Sequence, residues 1–146
     1  HFRTERSKHL MDLGIPLNMD STLKGQLVFA SERAVELMQE KIITDRTVID
    51  VMAFCDLSDS MKDHEKFYLN ASLFYLIDEY DILFYVSPEG VEIEDNGIRE
   101  TNAKYRTAVD EKIKTIIQMY RSNTVTIKGT VEERIEQVKK VVAQYV

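Results

Sequence analysis

The chain has 146 residues, 44% of them hydrophobic, with only 5 glycines and 2 prolines, which supplies material for one compact core and excludes collagen-like, linker-like and disordered chains. Its 19 basic and 25 acidic residues leave a formal charge of −6 and a pI near 5.1, so no whole-molecule positive field exists to hold nucleic acid non-specifically. A single cysteine, Cys55, excludes an intramolecular disulfide framework and a cysteine zinc cage, and fits a reducing compartment with the cytoplasm as the expected location.

Read in chain order, residues 5–13 predict a short helix stopped by Gly14 and the Ile15-Pro16 pair. Asp20 or Ser21 can cap a long helix to about residue 40, with Leu23, Leu27, Ala30, Ala34, Leu37 and Met38 along one face. Lys41-Ile42-Ile43-Thr44 reads as a strand buried on both faces. Residues 47–55 predict a helix with Cys55 on its inner side, and Asp56-Leu57-Ser58-Asp59-Ser60 breaks it. Residues 61–79 predict a long helix with Phe67, Leu73, Phe74, Tyr75 and Ile77 mostly turned inward.

A second doubly buried strand spans residues 81–86, and the acidic, turn-rich stretch 87–97 follows it. Helical periodicity returns over 104–120 through Ala108, Ile113, Ile116 and Ile117. A third strand covers 124–128. Thr130-Val131-Glu132-Glu133 is a capping box opening a last helix through Ile135, Val138 and Val142. Apolar runs such as Ile82 to Val86 are too short to cross a bilayer, and no signal-peptide pattern opens the sequence, so no membrane partner is expected. The segments between strands are long enough for helical crossovers, which predicts one α/β domain over 1–146 with a parallel sheet covered on both faces.

Ligands of such sheets bind outside the carboxyl ends of the strands, here Asp45-Arg46, Ser87-Pro88-Glu89 and Gly129-Thr130. An acid followed by an arginine at the end of a buried strand needs partners, which a metal ion for Asp45 and a phosphate for Arg46 would supply. Equally, Asp45 can cap the helix starting at Thr47 while Arg46 pairs with a surface carboxylate. Arg99, within Asp95-Asn96-Gly97-Ile98-Arg99, and Arg106 lie seven residues apart, so a helix would place two guanidiniums on one face, as a polyphosphate requires. Spacing alone favours ordinary surface pairs there with Glu100, Lys104, Asp110 and Glu111.

His1, His9 and His64 share no metal-ligand spacing and read as surface residues. Cys55 reads as core rather than nucleophile, and Ser31, Ser58 and Ser60 lack a nucleophile-elbow turn. The aromatic series Phe67, Tyr68, Phe74, Tyr75 and Tyr80 lacks basic interleaving and reads as core and helix packing rather than a base-stacking platform. Gly14, Gly25, Gly90, Gly97 and Gly129 never form the G-x-x-x-x-G-K-[ST] spacing of a phosphate-cradling P-loop.

Thr4-Glu5-Arg6, Gln26, the run Ile42-Ile43-Thr44-Asp45-Arg46-Thr47-Val48-Ile49-Asp50, the run Asp95 to Arg99 with Arg106, and Ile127-Lys128-Gly129-Thr130-Val131-Glu132-Glu133-Arg134 occur in an order that spans nearly the whole chain. In that order the sequence resembles the P-loop kinases related to the nicotinamide riboside kinase domain of bacterial NAD-salvage proteins, including phage-encoded members. The resemblance implies a parallel-sheet P-loop NTPase fold of nucleoside and nucleotide kinase type, whose first strand and P-loop precede the residues given, so the chain is expected to be part of a longer polypeptide.

The resemblance further implies ATP and Mg2+ as cofactors and a phosphotransferase acting on a nucleoside, nucleotide or related small molecule. Glu5 would serve as general base, Asp45 would help hold magnesium, and Arg99 and Arg106 would close from a lid over residues 87–106. Arg46, Gln26 and Asp50 would meet the acceptor, and Gly129 and Thr130 the adenine. Asn96 departs from the acid or glycine context that the family often has at that point of the lid. A DNA-borne acceptor is a variant that the negative charge disfavours, and a homo-oligomer is compatible with the sequence. The alternative reading is a non-catalytic nucleotide-binding or interaction module that keeps the kinase-like fold.

Overall fold

The computed structural model describes residues 7–88 and 103–145. In chain order these form α1 (Ser7–Asp12), a 3-10 turn (Asn18–Asp20), α2 (Leu23–Leu37), α3 (Val48–Asp56), α4 (Asp63–Phe74), a second 3-10 turn (Ile77–Glu79), β1 (Phe84–Val86), α5 (Ala103–Tyr120), β2 (Val125–Ile127) and α6 (Val131–Ala143). The helix expected over 5–13, the first residues of which lie outside the described ones, ends where Gly14 turns the backbone at φ 77° and Ile15 N–H bonds back to the Leu10 carbonyl at 3.0 Å.

The cap of α2 is Thr22, whose hydroxyl accepts from Gly25 N–H at 3.2 Å. Neither Asp20 nor Ser21 takes that role, because Asp20 ends the preceding 3-10 turn and Ser21 closes it, its N–H bonding to the Asn18 carbonyl. The inward face of α2 keeps part of the apolar stripe, with Leu23, Ala30 and Leu37 packed against the core, and adds polar residues to it. Gly25, Gln26, Arg33 and Glu36 are buried, whereas Leu27 is exposed and Met38, past the helix end, is 84% exposed. The physical reason is local. A Cβ on Gly25 would sit 3.5 Å from Ile15 Cγ2, so the loop after α1 closes onto this side of the helix. Further along, Arg33 and Glu36 neutralise each other through an ion pair of 2.8 Å and can be buried together.

The core centres on α3, in which Val48, Ile49, Val51, Met52, Ala53 and Cys55 are all buried. It packs against α2, α4 and α5, and Leu69, Leu73, Ile77, Leu83 and Ile116 complete the cluster around it. On α4 the stripe Leu69, Leu73 and, beyond its end, Ile77 meets α3. Phe67 at 70% and Tyr75 at 78% exposure, with Tyr68 and Phe74, face outward instead of into the core. An apolar pattern present on both sides of a helix leaves the choice of inner face to the partner. Here α3 selects the aliphatic side.

β1 and β2 pair in parallel, with Phe84 opposite Val125, Tyr85 opposite Thr126 and Val86 opposite Ile127, and α5 forms most of the described crossover between them. The pairing is extended by Val125 N–H to Leu83 O and Ser87 N–H to Ile127 O, each 3.0 Å. The strand expected at 41–44 is not formed. Among the described residues the sheet has two strands, Ile43 is 67% exposed, and the run is bracketed by Lys41 at φ 53° and Arg46 at φ 78°, left-handed conformations incompatible with a continuous strand. A β-prone run becomes a strand only where a neighbour offers unpaired backbone, and neither β1 nor β2 pairs with it.

Leu73→Ala is expected to lower unfolding free energy by about 2–5 kcal/mol through cavity formation. Met38→Ala is expected to change it by less than about 0.5 kcal/mol. Urea unfolding of the two variants checks the pair, and equal losses would contradict the assignment of faces.

Candidate functional site

Two groups of residues follow the strand-like and strand segments that the sequence singles out. In the first, Thr47 caps α3: its hydroxyl accepts from Ile49 N–H at 3.1 Å, and the Asp50 carboxylate accepts from Thr47 N–H at 2.7 Å, closing a capping box. Ahead of it, Arg46 adopts φ 78°, stabilised by the Thr44 hydroxyl donating to the Arg46 carbonyl at 3.2 Å. Its guanidinium lies 3.9 Å from Asp50 Oδ1 and 5.4 Å from the centre of the Phe54 ring. Asp45 is exposed. Thus Thr47 and Asp50, not Asp45, satisfy the helix start, which leaves the Asp45 carboxylate outside the cap.

Behind this turn, Val48 N–H donates to the Tyr80 hydroxyl at 3.1 Å. Burial pushes Tyr80 up to about 12, with the Val48 bond and the Arg33 charge opposing the rise and Glu36 and Asp50 adding to it. Tyr80 therefore closes the first amide of α3 from the turn that follows α4. Gln26 is only 3% exposed, and its side-chain carbonyl oxygen has no hydrogen-bond partner among the described residues.

The second group lies beyond β1 and β2. Thr130 caps α6 by accepting from Glu133 N–H at 3.2 Å, and Gly129 turns at φ 106°. A Cβ on Gly129 would lie 2.5 Å from Glu133 Oε2, so the glutamate lies directly over the turn. Two residues outside the sequence-derived site organise this loop. Arg134 donates from Nε to the Gly129 carbonyl at 2.8 Å and from Nη2 to the Ser87 carbonyl at 3.2 Å, fastening the ends of both strands with one guanidinium. Gln137 accepts from Lys128 N–H at 3.2 Å and donates to its carbonyl at 2.8 Å, bonding this residue's backbone as a neighbouring strand would. Arg134 ends the run that carries the family resemblance, and Gln137 has as its signal only a position in the first turns of a capped helix directly after a strand.

Arg106 is partly buried on α5. Glu5 and Arg99, and most of the lid expected over 87–106, lie outside the described residues. Arg46 and Asp50 are brought together, as are Gly129 and Thr130, while no hydrogen bond or ion pair among the described residues joins these two loops to each other or to Arg106. His9 and His64 are exposed and Cys55 is buried, as the sequence predicts.

No group of three or more His, Cys, Asp or Glu among the described residues is arranged to hold a metal ion. A single exposed carboxylate such as Asp45 fits a magnesium ion that keeps its waters and takes its other oxygens from phosphates. Among the same residues, no helix is long and apolar enough to cross a membrane.

The family match places the chain in the P-loop NTPase-like class of domains. The sequence matches the AAA domain family over residues 14–134, a span that includes α2, both strands, Asp45-Arg46 and Gly129-Thr130, and the chain belongs to that family. No curated protein and no solved structure matches it.

Burial, followed by the nearby Asp56 charge, pushes the Cys55 thiol from its ordinary 9.0 up to about 12. The unfolded thiol thus ionises first. The stability associated with its neutral form is complete below pH 9 and is lost as pH rises from 9 to about 12. Tyr80 acts in the same sense from pH 10 to about 12. Cys55→Ala is expected to flatten the onset of the alkaline decline near pH 9 and leave the tyrosine part, as read by denaturant midpoints from pH 7 to 11. An unchanged onset would contradict the burial of the thiol.

Proposed function

We propose that the chain carries the acceptor and magnesium side of an ATP-dependent phosphotransferase acting on a hydroxyl or phosphate of a nucleoside, nucleotide or related small molecule, nicotinamide riboside among them. Membership of the AAA domain family supplies the nucleotide-binding class. The observation that carries the finer reading is the backbone at Arg46. A non-glycine residue at φ 78° stores on the order of 1–3 kcal/mol. That strain displays Asp45 and Arg46 side by side beyond a helix start that needs neither of them.

In this reading Asp45 holds magnesium directly or through water, and the ion supplies charge neutralisation to the ATP phosphates. Arg46 positions a phosphate or the acceptor, and Asp50 acts through Arg46 and Thr47 as a positioning residue. The buried Gln26 oxygen offers an acceptor for a substrate hydroxyl or amine entering beside α2. Gly129 and Thr130 take the adenine side of the site. Glu5 accepts the proton of the attacking hydroxyl as its oxygen bonds the γ-phosphorus and the bond to the ADP oxygen breaks. Arg99 and Arg106 stabilise the charge on the transferred group. The acidic composition favours a small acceptor over a base carried in DNA and a cytoplasmic setting accords with the single cysteine.

Calorimetric titration of the full-length polypeptide with magnesium and a non-hydrolysable ATP analogue is expected to release heat at millimolar ligand. A panel of nucleosides, nucleotides and nicotinamide riboside then identifies the acceptor. Asp45→Asn should lower turnover at least about tenfold with the circular dichroism spectrum unchanged. Absence of binding heat, or full turnover in Asp45→Asn, would overturn the assignment. Binding without turnover on every acceptor would favour a non-catalytic nucleotide module.

A further inference from the structure

We propose that the outer face of α4, continued by the end of α5, is the surface through which two copies of this chain associate about a two-fold axis. In a chain with 30% charged residues, positions 67–77 contain none. On the exposed side of α4 they read as an aromatic pair, Phe67-Tyr68, a small pair, Ala71-Ser72, and a second aromatic pair, Phe74-Tyr75. Successive pairs are three or four residues apart, so all three lie along one helix face.

The rings form two clusters along this face. Phe67 packs edge-on to Tyr68 at 5.9 Å, and Phe74 packs edge-on to Tyr75 at 5.6 Å and to Tyr120 at 4.9 Å between centroids. Met119, next to Tyr120 in the last turn of α5, is also exposed. Within the face the Ser72 hydroxyl is satisfied internally, donating to the Tyr68 carbonyl at 3.0 Å. Lys66, next to the stripe, is turned away with its ammonium on the Asp56 carbonyl at 3.1 Å.

The order of the pairs selects the occupant. A stripe that is bulky at both ends and small in the middle is unchanged in character when reversed end to end. A second copy lying antiparallel therefore brings like pairs together across a two-fold axis, small pair against small pair and aromatic pair against aromatic pair, as an isologous contact requires. The small centre lets the two helices approach closely, and the aromatic pairs of each copy reach past the crossing onto the other. The six residues Phe67, Tyr68, Phe74, Tyr75, Met119 and Tyr120 expose about 700 Å² on one copy, taking about 200 Å² for each large side chain, which is close to the ~800 Å² per partner of a stable interface.

A single-stranded nucleic acid would need cations to track its phosphates. The stripe has none, and Asp63, Glu65, Asp78 and Glu79 bound it.

Sedimentation velocity of the full-length polypeptide over a range of micromolar concentrations tests this. A concentration-dependent monomer–dimer equilibrium is expected, with Ala71→Arg at the crossing raising the dimer dissociation constant at least about tenfold while helical content is retained. Should Ala71→Arg unfold, Tyr75→Glu, at a highly exposed position past the last turn of the helix, is expected to give the same loss. A monomer at every concentration, or a dimer unaffected by either substitution, would overturn the proposal. So would a monomer whose α4 face is protected from hydrogen exchange, which would assign the face to another segment of the same polypeptide, or single-stranded DNA binding that Ala71→Arg abolishes.

Discussion

The structure depends first on burying α3 from nearly every side. Four large apolar side chains, an alanine and a cysteine on nine residues leave water together, a gross contribution on the order of 10 kcal/mol before chain entropy is subtracted. Such a helix has no solvated face on which to satisfy its ends, so both ends are tied by side chains. At the start, Thr47, Asp50 and Tyr80 take the first amides. At the end, Asp56 accepts from Asn70 at 2.5 Å and pairs with Lys112 at 3.3 Å, which links α3 to α4 and α5. The turn carrying Asp45 and Arg46 consequently leaves the core from a fixed point.

The two strands are held by a different device. Three residues each give β1 and β2 little pairing of their own, and side chains from the helices supply the remainder. Arg134 and Gln137 bind the backbone beyond the strands. Tyr85 donates to Asp110 on α5, and Lys114 lies 3.1 Å from that carboxylate and 5.8 Å from the tyrosine ring centre. At the opposite end of the sheet, Arg121 donates to the carbonyls of Ile77 and Tyr80 at 3.0 and 2.9 Å, joining the end of α5 to the turn that carries Tyr80. The loops around Gly129 and around the α3 cap are therefore each set by side chain to backbone bonds and not by loop composition.

Much of the element order was legible in the sequence because it rests on local chemistry. Thr130 with Glu133, Thr47 with the apolar run after it, and Gly14 before Pro16 mark helix ends through bonds between near neighbours. The strands at 84–86 and 125–127 stand out as β-prone runs bounded by polar residues. What failed depends on distant partners. Ile42 and Ile43 carry the same signal as Phe84 to Val86, yet no strand among the described residues pairs with them. The α4 aromatics obey helical spacing, but α3 decides which side turns inward, whereas on α2 Leu23 and Leu37 pack against the core as their spacing predicts and only Leu27 and Met38 turn out. For the site, Arg46 and Asp50 were readable as charged neighbours after an apolar run. The division of labour, with Asp50 in the cap and Asp45 outside it, follows from bond geometry that spacing alone does not carry. Arg134 was visible only as part of a family-like run, since its partners are carbonyls at the ends of two strands far apart in sequence.

The most direct measurement is native-state amide hydrogen exchange resolved by residue. If α3 is the element on which the others rest, the amides of Val51 to Cys55 exchange only through global unfolding and are the slowest in the molecule. Exchange of these amides at or before the rates of α5 or α6 would contradict the account, because a fixed origin for the Asp45-Arg46 turn would then not exist.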